Sequence, residues 1–109
     1  MVDFTRAADF PLPESGYSPD GAIDLIIERR IEQIVRFGHT PEKDRQLPRG
    51  TLPREAQRYL THAIEDLHFG GGDPEARKRA LRHLAQTGAI IIAAIERLKS
   101  EETATGEPI

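Results

Sequence analysis

The clearest pattern in the chain is the series Leu81, Leu84, Gly88, Ile91, Ile95, Leu98. Its steps alternate between three and four residues, the spacing of a helix that packs on other helices. Asp73-Pro74 opens this segment, aspartate as a cap and proline in the first turn, and nothing breaks it before Lys99. A second amphipathic stretch presents Ile23, Ile26, Ile27, Ile31, Ile34 and Val35 on one face, with Asp24, Glu28, Arg29, Glu32, Gln33 and Arg36 on the other. Ser18-Pro19-Asp20 reads as its start and Gly38 as its stop. A third stripe, Ala56, Tyr59, Leu60, Ala63, Ile64 and Leu67, begins near Thr51 and ends at Gly70-Gly71-Gly72. The short β-branched cluster at Ile90–Ile92 is flanked by alanines and by the same seam on both sides, so it belongs to the helix.

These patterns predict an all-α domain, a three-helix bundle over residues 18–99, with a long connector at 39–50 between its first two helices. Residues 1–17 read as a flexible N-terminal arm, with Phe4 and Phe10 able to anchor it. Residues 100–109 read as a disordered tail. A twelve-residue connector exceeds what a tight helical hairpin needs, which marks it as a candidate for function.

Composition narrows the classes. The chain has 109 residues, room for one domain with a modest core, and self-association would help to stabilise it. Absence of cysteine excludes disulfides, thiolate metal sites and a cysteine nucleophile. A net charge of −3 argues against broad nucleic-acid coating. The N-terminus lacks a secretory pattern and no apolar run could span a bilayer, so the expectation is a cytoplasmic protein with no membrane partner.

Several side-chain groups could carry chemistry. Glu28, Glu32, Glu42, Asp44 and Asp66 would make a metal-dependent nucleotide hydrolase if at least three of them converged, because a hard cation needs several oxygen ligands. Arg77, Lys78, Arg79, Arg82 and His83 crowd positive charge into the early turns of the last helix, where the macrodipole does not favour it. Arginine forks there would suit an anionic ligand. His39, His62, His68 and His83 show no helical zinc spacing and read as surface residues, with His39 singled out because it opens the connector. Gly88 inside a helix costs about 1 kcal/mol relative to alanine, so a close helix approach is expected there, from the first helix or from a second copy. Gly88, Ile91, Ile92 and Ile95 are the expected oligomer interface.

The segments Glu28-Arg29-Arg30, Gly38-His39-Thr40-Pro41-Glu42-Lys43-Asp44, Gly50-Thr51-Leu52 and Lys78 to Leu98 together resemble a family of small helical phage and prophage proteins of uncharacterised function. That family pairs a Glu-Arg-Arg helix with a Gly-Trp-Thr-Pro-Glu-His-Asp-Asp connector and an Ala-Gly-Ala-rich closing helix. Here histidine stands for the connector tryptophan at His39, Lys43 for its histidine and Arg45 for its second aspartate, so the imidazoles are lost while Glu42 and Asp44 remain. The resemblance implies a mobile-element context. The resulting expectation is a self-associating binding protein without cofactor and without catalytic residues. It would hold an anionic, nucleotide-like ligand or a host protein at Glu28, Arg29, His39, Glu42, Asp44, Arg77, Arg79 and Arg82. The metal-dependent hydrolase and a purely structural or regulatory interaction protein are the alternatives.

Overall fold

The computed structural model describes residues 20–105 of the chain. Four helices follow one another: α1 (Asp20–Val35), α2 (Pro41–Asp44), α3 (Thr51–Phe69) and α4 (Pro74–Thr105). No strand occurs among the described residues, so the all-α expectation holds. The N-terminal arm, the Ser18-Pro19 start and the last four residues lie outside the described residues.

Two boundaries differ from the sequence reading. The connector contains α2, and α4 continues helically through 100–105, where a disordered tail is expected. Ser100 and Glu101 look like solvated tail in sequence. In the fold they are partners for the connector: Arg45 Nη1 donates to Ser100 Oγ at 3.0 Å, and Arg49 Nη2 meets Glu101 Oε2 at 2.7 Å.

α4 is the central element. Both α1 and α3 pack on it, with no comparable packing between α1 and α3, and α2 rests on it as well. The three long helices thus form a layer with α4 in the middle, more open than a closed bundle. Where α4 meets its neighbours the contacts are made chiefly by small residues. Ala63, Ala76, Ala80, Ala89 and Ala93 are almost fully buried, joined by Leu52, Ala56 and Ile90. Among the described residues no large side chain is completely enclosed. Alanine at these positions lets helix backbones approach closely while costing little conformational entropy.

Gly88 follows the same logic. A Cβ there would stand 2.9 Å from Cδ1 and Cγ1 of Ile26, so α1 crosses α4 at this position. The close approach expected of Gly88 is made within the chain, by α1. At the far end of α1, Gly38 takes φ +72°, a left-handed conformation that suits glycine. The chain turns there, and the His39 N–H reaches the Gln33 carbonyl at 2.8 Å. Thr40 then caps α2, its Oγ1 accepting from the Lys43 N–H at 3.3 Å, with Pro41 at the first helical positions.

Candidate functional site

The sequence-expected residues fall into two groups that do not meet. Asp44 is buried, and its carboxylate receives Nη2 of Arg30 at 3.3 Å, both side chains being enclosed. Every guanidinium nitrogen of Arg30 is engaged: Nε donates to Glu96 at 2.8 Å, and Nη1 to the His39 carbonyl at 3.1 Å and to Gln33 Oε1 at 3.4 Å. Arg97 adds bonds at 3.3 Å to the carbonyls of Asp44 and Pro48. One guanidinium therefore ties α1, the connector and α4 together. Burial of such a charge is tolerable only because every nitrogen finds an acceptor. The Glu-Arg-Arg and Thr-Pro-Glu-x-Asp segments that read as functional signature are, in their buried members, the clamp that holds the connector down.

His39 joins this clamp through its backbone carbonyl, and the rest of the expected set stays outside it. Glu28 is exposed, and Arg29 pairs with Glu32 at 3.1 Å on the same helix. The side chains of His39 and Glu42 are exposed. Arg77, Arg79 and Arg82 are exposed on the first turns of α4. The helical rise puts Arg82 about 20 Å along α4 from Glu96, where the connector is anchored. Among the described residues no group of three or more His, Asp or Glu is placed to hold a metal ion, so the carboxylates required for a metal-dependent hydrolase do not converge.

Between α3, α4 and the connector lies a concavity of about 140 Å³. Leu52, Ile90 and Ala93 give it an apolar floor. Gln33, Glu55, Tyr59 and Gln86 bring polar groups to it, and His39 and Leu47 reach it from the connector. The Arg30–Asp44 pair closes one end.

Farther along the α3–α4 groove, Asp66 of the expected carboxylate set and Arg79 and His83 of the basic cluster gather with His62 and Tyr59. His83 Nδ1 lies 2.8 Å from Asp66 Oδ2, and Arg79 Nε reaches Asp66 Oδ1 at 3.4 Å. The His62 and His83 rings stand 5.5 Å apart, with Tyr59 about equally near both. Burial pushes the Asp66 carboxyl up, and the hydrogen bonds and charge of His83 and Arg79 outweigh it, holding the group below the usual carboxylate range. The spacing of Tyr59, His62 and Asp66 on one face of α3 is visible in sequence. Their partner on α4 is not, because it depends on how the two helices pair.

The opposite face of the layer is aliphatic. Nine residues, about two and a half helical turns, separate Glu55 from Ile64 and Gln86 from Ile95, so each pair points to opposite sides. On the side away from the concavity α4 presents Leu81, Leu84, Ile91, Ile95 and Leu98, each between 42% and 53% exposed. Leu60, Ile64 and Leu67 of α3 and Ile23, Ile27 and Ile31 of α1 are exposed to a similar degree. The expected interface is thus divided: Ile91 and Ile95 are open, Ile92 is half-buried, and Gly88 lies under Ile26.

In comparisons with known proteins, no family model, no curated protein and no solved structure matches this chain. Among the described residues no helix is long and apolar enough to cross a membrane.

Proposed function

We propose that this chain is a non-enzymatic, self-associating helical interaction module whose working surface is the aliphatic face of the α1–α4–α3 layer. The observation that carries this reading is an inversion of the usual order. Alanines fill the interior, while eleven large aliphatic residues of α1, α3 and α4 stand roughly half-exposed. Half-exposed side chains in that number offer on the order of 1,000 Å² of surface, and a stable interface needs about 800 Å² from each partner. A patch this large on a small protein marks an interaction site.

A second copy is the occupant that best fits the face. The three–four spacing from Leu81 to Leu98 is the repeat that an identical helix complements, and a two-fold pairing places the same surface on both subunits. The resemblance to small phage and prophage proteins supplies a mobile-element setting, in which a host protein is the competing occupant.

Light scattering on the full chain over a wide concentration range tests this. The expected mass is twice the 12.2 kDa of one chain. Ile91→Glu combined with Ile95→Glu puts charges on the open face, and the expected product is a helical monomer. A wild-type chain that stays monomeric at the highest concentration overturns self-association and leaves the host protein as the occupant to seek.

A further inference from the structure

We infer that the concavity between α3, α4 and the connector is a binding site for an uncharged, single-ring nitrogen heterocycle of the pyrimidine-base class. Size is the first argument. A space of about 150 Å³ is large enough for one six-membered ring, and this concavity, which opens to solvent, measures about 140 Å³ with Leu52, Ile90 and Ala93 among its lining residues.

Polar groups at the walls supply the second. Gln33 is only 5% exposed, yet it lines the concavity. Its Oε1 is turned to Arg30, which can only donate. The Gln33 amide nitrogen, left to the concavity, donates to no group among the described residues. That nitrogen keeps contact with the open concavity, where water or an entering acceptor can bond it. Glu55 contributes the complementary function. Both bonds from Arg58 land on its Oε2, at 3.2 and 2.9 Å, and Oε1 remains as an acceptor. Gln86 carries a donor and an acceptor to the same wall. A ring with an exocyclic amine or ring N–H beside a carbonyl, as in cytosine or uracil, satisfies all three.

Charge decides between this ligand and an anion. Arg30 is the cation lining the site, and Asp44 and Glu96 already neutralise it. Glu55 on the other wall is likewise already paired, with Arg58. A phosphate or carboxylate entering here would lose its hydration and gain no free cation. The site therefore discriminates by hydrogen-bond pattern, and the ligand inferred for it is the uncharged base.

Titration of the isotopically labelled full chain with cytosine and with uracil, followed by nuclear magnetic resonance, tests the inference. The side-chain amide signals of Gln33 and Gln86 are expected to shift saturably. Gln86→Leu, at a half-buried position, keeps the apolar volume and removes the wall's hydrogen bonds, with an expected loss of affinity of about tenfold. Gln86→Glu keeps size and replaces the amide donor by an acceptor, and it is expected to favour cytosine, which presents an amine, over uracil. Benzene and inorganic phosphate serve as controls. Absence of saturable shifts with either base up to its solubility overturns the inference. So does equal binding of benzene, which would make the concavity an apolar void, or competition by phosphate. The Ile91→Glu, Ile95→Glu chain separates the two readings, because its aliphatic face is altered while its concavity on the opposite side is intact.

Discussion

Arg30 illustrates how a single residue organises this fold. Its guanidinium is enclosed and each of its nitrogens has an acceptor, on α1, the connector or α4. Removing one acceptor leaves part of a buried charge uncompensated. Asp44→Ala is therefore expected to lower stability by about 3 kcal/mol in urea unfolding. Asp44→Asn, which keeps an oxygen in place of the carboxylate, is expected to cost less. Equal loss from both variants would assign the whole effect to charge. Asp66 gives a second, pH-dependent expectation. Its carboxyl is held low in the folded chain, so the stabilisation it contributes is complete above the ordinary carboxylate value of about 4. That contribution is lost as pH falls through the depressed folded value. Unfolding curves between neutral pH and pH 2 should show Asp66→Asn with a shallower acid-induced loss than wild type. An unchanged slope would mean that His83 and Arg79 do not act on this group in solution.

At the scale of elements, the periodic stripes were enough to locate the three long helices, because amphipathic spacing records which way a helix faces. Gly70–Gly72 and Asp73-Pro74 likewise marked the α3–α4 turn correctly. Partner choice was harder to read. Ser100 and Glu101 look like solvent-exposed tail until the connector is placed against them, and Asp44 looks like a surface ligand until Arg30 is found beneath it. In both cases the deciding contact spans elements distant in sequence, and periodicity carries no information about it. The exposed seam from Leu81 to Leu98 was legible as a packing surface, but alanines at the interleaved positions make most of the intrachain contacts. These assignments make the last turns of α4 testable. Deleting residues 100–109 removes the Arg45–Ser100, Arg49–Glu101 and Arg97–Glu101 contacts. Exposed pairs contribute roughly 0.2–1 kcal/mol each, so a total loss of about 1–2 kcal/mol is expected. Amide exchange at 45–50 should accelerate in the shortened chain. Unchanged exchange there would mean that the C-terminal turns do not hold the connector.

Over the whole molecule the two faces of the layer differ in what they expose, and the thermodynamics of unfolding can tell what each contributes. A small domain whose interior is mostly alanine gains little from burial within one copy, since methyl groups remove little apolar area from water. Most of the available hydrophobic stabilisation resides in the side chains of α1, α3 and α4 that one copy leaves open. If a second copy covers them, folding and association are linked, and the midpoint of thermal unfolding must rise with protein concentration. A hundredfold increase in concentration is worth about 2.7 kcal/mol per dimer, or about 1.4 kcal/mol per chain, and is therefore expected to raise the Tm of the wild-type chain by several degrees. Ile91→Glu with Ile95→Glu should abolish that dependence and lower the Tm at every concentration. The Asp44→Ala chain should keep the dependence while melting earlier, because its defect lies in the clamp on the other face. A wild-type Tm independent of concentration would show that the aliphatic face contributes nothing through self-association, and the stability of the chain would then have to come from the Arg30 clamp and the alanine-lined contacts of α4 alone.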